Sequence, residues 1–231
     1  RDRAHTIPVQ LCLDGSCSAI LKNLPEVSSP SDVIAGDFEG RTGSEEQDHV
    51  YHPRLGTIDY QRFGEFETDF TFRLYEGTLT GGYQLRDTES VRFRYYMNKR
   101  IDLSIVDSGA PFDYLSVSKS LNFGGLTSGR QLTFDLVMKF NAGYRVRLSS
   151  LNNGVLKQIG RTSEVPYTFA MGGKNIDLSR SSGTPVVVDQ GSGVSPPGGQ
   201  RLDGKVTIGT VGSAQAGTYQ DSITVTVTTT E

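Results

Sequence analysis

The sequence predicts an all-β protein made of two β-sandwich domains, and two features of the chain support this prediction. Apolar residues alternate with polar residues at period two over many short runs, as in strands with one buried face. The 27 glycines, 10 tyrosines and 11 phenylalanines, with no tryptophan, suit short strands joined by turns. The clearest run lies near the C-terminus, where Ile223, Val225 and Val227 alternate with threonines. We therefore expect almost no helix.

The length of 231 residues allows one large β domain or two smaller ones. The pattern changes near Asn98–Arg100, so we predict an N-terminal adhesin-like β domain over residues 1–98 and a C-terminal domain over residues 99–231. Strand signals recur in the second domain at the fairly regular spacing of a β-sandwich. The strands predicted there are Ile101–Val106, Leu115–Phe123, Gln131–Phe140, Tyr144–Ser149, Val155–Ile159, Val165–Met171, Asn175–Leu178, Lys205–Val211 and the run from Tyr219 onward.

Charge and hydropathy argue against two classes of partner. The net charge of −3 does not favour nucleic-acid phosphates or anionic lipids, and the basic residues between Arg86 and Arg100 come with no nucleic-acid-binding motif. No apolar run approaches the roughly 18 residues of a membrane span. We predict neither nucleic-acid binding nor membrane insertion. The chain opens on Arg1 rather than Met, so we expect a removed leader or a later start.

The two cysteines, Cys12 and Cys17, lie in a predicted hairpin. Residues Thr6–Leu13 alternate, and Asp14-Gly15 can form a two-residue type I′ turn before the chain returns through Ser18–Leu24. This register places Cys12 opposite Cys17, close enough for a disulfide. A disulfide indicates an oxidising compartment. The alternative is a redox or metal pair, but a C-x-x-C spacing and neighbouring ligands are missing.

The rest of the first domain is predicted as a long loop over residues 25–50 and then an antiparallel meander. Turn signals at Glu76-Gly77, Gly81-Gly82 and Asp87-Thr88 separate its strands. The predicted strands are Thr57–Phe63, Phe66–Tyr75, Thr78–Leu85 and Ser90–Met97. Exposed aromatic residues would suit attachment to a surface, although each candidate also fits a core or strand-edge role; the candidates are Tyr51, Tyr60, Phe63 and Tyr83.

One cluster invites a chemical interpretation, because residues 45–52 (EEQDHVYH) hold two histidines and three carboxylates. Its His-x-x-His spacing places the two rings on different faces of a strand and matches no helical metalloprotease motif, so a polar surface loop is favoured. The chain has no G-x-S-x-G turn that would present the nucleophile of a catalytic triad, and the glycine-rich residues 191–199 lack the lysine of a phosphate loop. We predict no enzyme activity, no metal and no cofactor. Paired carboxylates of the glycosidase type stay open, because their separation in space is not readable from sequence.

Several short motifs occur together in the second half of the chain. They are LNFG at 121–124, FNAGY at 140–144, NNGVL at 152–156, VPY at 165–167 and AGTYQDSI at 216–223, followed by Val225 and Val227. In their order and spacing, over residues 100–230, the chain resembles the spore-coat-U-like pilin domain of archaic chaperone–usher pili. That family usually joins its first strand to the region of Phe140 by a disulfide. This segment has no cysteine, so we expect packing, with Phe140 itself as a candidate, to replace the bridge.

The resemblance implies an immunoglobulin-like sandwich that lacks one strand. The missing strand is donated by a periplasmic chaperone and then by the adjacent pilin subunit, and an usher assembles the fibre. The partners would therefore be a chaperone, an usher and a neighbouring pilin, and the protein would reach an extracellular fimbrium through the periplasm. On this interpretation the donor-strand groove is walled by Ile101, Leu103 and Ile105 from the first strand and by Ile223, Val225 and Val227 from the last. The alternative is that all six belong to the core of a complete sandwich.

The residues before the pilin-like domain suggest a particular position in the fibre. Thr6–Leu13 alternates like a donor strand, but a hairpin closed by Cys12 and Cys17 would hold its end in local structure. We therefore predict a non-enzymatic two-domain tip adhesin that receives a strand, donates none, and mediates attachment or biofilm formation. The sequence does not identify its receptor. The alternatives are a secreted carbohydrate-binding β-sandwich and, less favoured, a secreted β-rich hydrolase.

Overall fold

The computed structural model describes residues 6–36, 46–56, 60–78 and 80–230. Within these ranges the regular structure consists of strands and two short 3₁₀ helices, which confirms the all-β class. The chain divides into two compact units, residues 1–61 and 62–231. This division lies before the domain boundary that the sequence predicts at residue 98, and that boundary stays a prediction.

The first unit contains a small antiparallel sheet. Strand β1 (Val9–Cys12) pairs with β2 (His52–Leu55), with Val9 opposite Leu55 and Cys12 opposite His52. The two 3₁₀ helices, Leu24–Glu26 and Pro30–Asp32, lie between these strands in the chain. Asp32 is buried, and its carboxylate accepts hydrogen bonds from the Ser28 amide and from Lys22, which lower its pKa to about 2.

The Cys12–Cys17 disulfide is confirmed, with 5.0 Å between the two Cα atoms, but the predicted register around it is wrong. Cys12 lies opposite Ile20, and the Leu13 amide donates to the Ala19 carbonyl. The loop is wider than a two-residue turn because the Asp14 carboxylate accepts hydrogen bonds from the Ser18 and Ala19 amides across it. Hydrogen bonds from the Ser16 and Ser18 hydroxyls, together with these two amide bonds, lower the pKa of Asp14. The predicted return strand Ser18–Leu24 is reduced to a single bridge at Ile20.

A single long hairpin replaces the predicted meander. Strand β3 (Gly64–Thr78) pairs along its whole length with β4 (Gly82–Met97), and a bulge at Arg86 absorbs the one extra residue. The meander was wrong because alternation continues through Glu76-Gly77 and Asp87-Thr88 without a reversal of the chain. One face carries half-buried apolar residues, among them Phe70, and the other carries ion pairs such as Asp69–Arg92. Of the predicted strand Thr57–Phe63, residues 57–59 lie outside the described residues, and Tyr60 is in a turn with φ of 54°.

The second unit also contains a sandwich of two facing sheets. The strands of the larger sheet are β5 (Ile101–Val106), β6 (Gln131–Phe140), β8 (Val155–Gln158), β9 (Glu164–Met171), β10 (Lys174–Ile176), β12 (Gln200–Ile208) and β13 (Tyr219–Gln220). Those of the smaller sheet are β7 (Gly143–Ser150), β11 (Val186–Gly191) and β14 (Ile223–Thr230). The larger sheet has the order β13-β8-β9-β12-β6-β5, with β10 paired to β9, and the smaller has the order β11-β7-β14.

The core fills the space between these sheets. Leu136 and Met138 on β6 face Val146 and Leu148 on β7, and all four are fully buried because alternate residues of each strand point to the same side. The chain passes from one sheet to the other at Asn141-Ala142, where β6 ends and β7 begins. This crossing sets β5 and β14 at the same side of the sandwich.

Two predictions for this unit are corrected. The predicted strand Leu115–Phe123 is irregular, because local hydrogen bonds to the Asp113 side chain hold a turn there. The C-terminal run does not form one strand from Tyr219 onward. Tyr219 and Gln220 pair with β8 in the larger sheet, and the chain then crosses at Asp221-Ser222 to begin β14 in the smaller one.

Candidate functional site

The six residues predicted to wall a groove lie on two edge strands that contact each other. Strand β5 pairs only with β6, and β14 pairs only with β7, among the residues that the structure describes. All six side chains are half-buried and pack against the core: Ile101, Leu103 and Ile105 from β5, and Ile223, Val225 and Val227 from β14. The structure therefore brings the predicted residues together along the side of the sandwich where the two edge strands lie, here called the open side. Whether they receive a strand stays a prediction.

The hydrogen bonds between β5 and β6 show which backbone amides and carbonyls of β5 point away from β6. The Asn141 amide donates to the Arg100 carbonyl at 3.2 Å, so the backbone groups of Arg100 point toward the segment that ends β6. Because backbone groups alternate along an antiparallel edge, those of Ile101, Leu103 and Ile105 face away from β6. The same residues therefore direct their side chains toward the core and their amides and carbonyls toward the open edge.

Strand β14 has the same property. The Leu151 amide donates to the Ser222 carbonyl at 2.9 Å, which places the backbone groups of Ile223, Val225 and Val227 away from β7. The threonines between them face solvent with their side chains and bond to β7 with their backbone. Two edges with outward backbone groups and inward apolar side chains thus lie side by side, and the seam between them is here called the opening.

The fully buried centre of the core lies directly behind these wall residues. The pairing register sets Leu103 opposite Met138 on one side and Val225 opposite Leu148 on the other. Opposite residues on antiparallel strands have Cβ atoms about 4.5–5.5 Å apart, so the side chain of each wall residue lies next to that of a buried core residue. An extended segment inserted between β5 and β14 would have to part the two strands, and could then pair with both edges and place alternate side chains against these core residues.

A polar network fixes the start of β14. The Asp221 carboxylate accepts hydrogen bonds from the Ser150 hydroxyl at 2.5 Å, the Tyr167 hydroxyl at 2.6 Å and the Asn152 amide at 2.9 Å. Burial and the bond to Asp221 raise the pKa of Tyr167, so its hydroxyl stays protonated and able to donate. Two separate segments of the sandwich, the end of β7 with the turn after it and the middle of β9, thus converge on one carboxylate where the chain changes sheets.

The start of β5 is held by Asn141. Its side-chain oxygen accepts a hydrogen bond from the Arg100 amide at 2.6 Å, and its side-chain nitrogen donates to the Asn98 carbonyl at 2.9 Å. Phe140 beside it is buried, with its ring centroid 4.4 Å from that of Tyr144. The packing expected at Phe140 is thus present, and the Asn141 clamp adds a tie between β5 and this corner that sequence reasoning missed. An asparagine directly after a strand was the only available signal.

The four candidates for surface attachment differ in exposure. Tyr60 is buried, with 8% of its surface exposed, whereas Tyr83 near the tip of the long hairpin is 46% exposed and makes an edge contact with Tyr75. Tyr51 and Phe63 are half-buried, and the Lys99 amine lies 5.0 Å from the centroid of the Phe63 ring. Their role stays a prediction.

The cluster at residues 45–52 forms no metal site in its described part. Glu45 lies outside the described residues, and within the remainder of the described chain no group of three His, Cys, Asp or Glu side chains is placed to hold an ion. The described part of the chain includes no helix long and apolar enough to cross a membrane.

Comparisons with known proteins gave matches in structure alone. No family model matches the chain, and no curated protein matches it either. One similar solved structure is a pre-assembly complex of chaperone CsuC and tip adhesion subunit CsuE of archaic chaperone–usher Csu pili from Acinetobacter baumannii, at 13% identity and a TM-score of 0.48, covering 98% of this chain and 78% of that one.

Two further solved structures also come from pilus systems. A chaperone–tip adhesin complex of CFA/I fimbriae biogenesis matches at 13% identity and a TM-score of 0.41, covering 98% of this chain and 70% of that one. The CooA pilin subunit from enterotoxigenic Escherichia coli matches at 15% identity and a TM-score of 0.31, covering 56% of this chain and 90% of that one.

Proposed function

We propose that this protein is a structural and adhesive subunit of a chaperone–usher pilus, assembled by donor-strand complementation. The observation that carries the proposal is the pair of adjacent edges at β5 and β14, each with a single partner strand among the described residues, which present apolar side chains inward and backbone groups outward. A donated strand would supply main-chain hydrogen bonds to both edges and fill the opening with alternate side chains. The sequence motifs of the spore-coat-U-like pilin domain agree with this geometry.

The partners follow from the assembly mechanism. A periplasmic chaperone would occupy the opening first, the usher would direct exchange, and the adjacent pilin subunit would fill the opening in the finished fibre outside the cell. No step of this process breaks or forms a covalent bond, so the proposed role is non-enzymatic.

We place the protein at the fibre tip. The N-terminal segment that alternates like a donor strand is already paired, because Val9–Cys12 forms β1 against β2 and Cys12 is bonded to Cys17. A segment held in this way is unsuited to travel to another subunit. Attachment to a surface would then belong to residues before β5, with the exposed Tyr83 as the first candidate.

The test is a variant of the full chain that carries its own complementing strand. An alternating peptide with the sequence of Ile223–Thr230 is joined after the last residue through a short glycine-serine linker. Completing the burial of the half-exposed wall residues should stabilise the protein by about 3 kcal/mol and raise its Tm by about 6–12 °C. The matched control carries the same extension with every isoleucine and valine replaced by serine.

Amide hydrogen exchange reports where the added strand binds. The Ile101, Leu103, Val225 and Val227 amides should become protected in the complemented variant and stay unprotected in the serine control. Equal Tm values for the two variants, with no gain in protection at these amides, would overturn the proposal.

A further inference from the structure

The segment of residues 107–117, here called the strap, follows β5 and crosses the outer face of the larger sheet. The Asp135 carboxylate on β6 accepts a hydrogen bond from the Gly109 amide at 2.7 Å and forms an ion pair with Arg201. Arg201 also donates to the Ala110 carbonyl at 2.7 Å. These contacts lie on the opposite side of β6 from the core residue Leu136. The strap is therefore fastened to the outside of the sandwich at its beginning.

Further along, the strap stays on this outer face. The Asp113 amide donates to the hydroxyl of Ser104, a fully buried residue of β5, at 3.2 Å. The Lys139 amine lies 4.8 Å from the centroid of the Phe112 ring, within the range of a cation–π contact. Both partners point away from the core, so the strap covers the outer side of β5 up to its edge.

At that edge the strap occupies one position of β5. The Ile105 amide, which points away from β6, donates to the Ser116 carbonyl at 2.6 Å. Asp113 shapes the turn that presents this carbonyl, because its carboxylate accepts hydrogen bonds from the Leu115 amide at 3.0 Å and the Ser116 hydroxyl at 2.7 Å. The same two bonds lower the pKa of Asp113. Ile101 and Leu103, farther from the strap, keep their outward backbone groups at the open edge.

The two walls of the opening are therefore unequal in length. Ile101 lies opposite Phe140 and Thr230 lies opposite Gly143, so these two residues share the end of the sandwich at the corner between β6 and β7. Ile105 lies toward the other end, where β14 begins. At that end β14 offers open backbone positions while β5 is already engaged by the strap.

We propose that the strap closes the groove at Ile105 and thereby sets the register of the inserted strand. This inference rests on the proposed function, because it assigns the end of the same groove. An incoming strand pairs with β5 at Ile101 and Leu103 and stops where Ser116 begins, while its pairing with β14 continues. The partner is thus an extended segment whose terminal residue near Ile105 pairs its backbone with β14 alone and makes no backbone hydrogen bond to β5.

The first test needs no partner strand and is carried out on the full chain. In amide hydrogen exchange, the Ile105 amide should exchange at least about fivefold more slowly, relative to its unstructured rate, than those of Ile101 and Leu103. The variant Asp113→Ala should remove at least half of this difference. The matched control is Asp177→Ala, which removes an exposed carboxylate that accepts the Ser179 amide in the same local geometry but far along the chain from β5. Equal protection at Ile105 and Leu103 would overturn the inference.

The second test locates the end of the strand in the complemented variant. Nuclear Overhauser contacts should join the added strand to Leu103 and Val225 but not to the Ile105 backbone, and Asp113→Ala should extend the contacts to Ile105. Contacts at Ile105 with the strap intact would show that the strand displaces Ser116, and would overturn the inference. If the added strand protects no amide at all, the proposed function is contradicted. The exchange rate of the Ile105 amide in the free chain still tests, independently, whether the strap is bonded to β5 there.

Discussion

Asp221 shows how one residue determines the position of a functional strand. Its carboxylate is bonded to β7 through Ser150, to the turn after β7 through Asn152, and to β9 through Tyr167. Ile223, two residues later, is the first wall residue on β14. A shift of the strand by one residue would turn the apolar face outward, so the network protects the register as well as the stability.

The contribution of this network can be measured by removing one hydroxyl. Tyr167→Phe keeps the buried ring and removes the donor to Asp221, so it should lower the free energy of unfolding by about 1.5–3 kcal/mol, as for a hydrogen bond to a charged group. Tyr96→Phe is the control, because Tyr96 is 62% exposed and its change should stay within about 0.5 kcal/mol. Urea denaturation followed by circular dichroism gives both values. Equal effects of the two substitutions would mean that the network does not hold β14.

At the scale of single elements, β14 has two faces with different roles. Val225 and its apolar neighbours point inward as half-buried wall residues, whereas Thr226 points to solvent. Val225→Thr keeps the shape of the side chain and adds a hydroxyl that a bound strand would bury. It should therefore destabilise the strand-complemented variant by about 1–2 kcal/mol and the free chain by less.

The reverse substitution on the other face is the control. Thr226→Val should change the stability of either form by at most about 0.5 kcal/mol, since the residue is exposed in both. The measurement is the free energy of unfolding of the four combinations of variant and form. A Val225→Thr cost that is the same with and without the added strand would contradict a groove at this face.

The periodicity of β5 and β14 made their inner faces predictable, because a period of two identifies the residues that share a side of a strand. The sequence could not show that β5 and β14 meet, since that depends on pairing with β6 and β7. Only the last three residues of the strap, from Leu115 to Val117, belonged to a predicted strand, Leu115–Phe123. Its actual course depends on the Asp113 turn and on the Arg201–Asp135 pair, which joins residues far apart in the chain.

The same limit explains the other corrections. The alternation around Tyr219 is continuous in sequence, yet the strand is divided between two sheets because Asp221 is bonded to β7 and β9. In the first unit, side-chain bonds of Asp14 widened the turn between the cysteines and displaced the predicted register without preventing the disulfide. Local patterns identified strands and faces, whereas side-chain hydrogen bonds, local at Asp14 and Asp113 and long-range at Asp221, decided where strands end.

At the scale of the whole molecule, the open side of the sandwich affects how the protein behaves without a partner. Strand β14 has the sequence ITVTVTTT, with no charged residue and no proline, so it lacks the features that usually prevent an exposed edge from pairing with another chain. Strand β5 contributes one charge, at Asp102. Two such edges that carry half-buried apolar side chains favour association with any available strand.

We therefore expect the full chain to associate with itself through these edges when no donor strand is present. In sedimentation velocity, the fraction of oligomer should rise with protein concentration for the parent chain and for the serine-substituted extension, because both leave the edges unpaired. The variant with the alternating extension should stay monomeric over the same concentrations, because its own strand occupies the opening. Val225→Lys in the parent chain should reduce association by placing a charge beside the edge without filling the groove. A parent chain that stays monomeric throughout, with unfolding as cooperative as that of the complemented variant, would mean that the sandwich is complete without a donated strand.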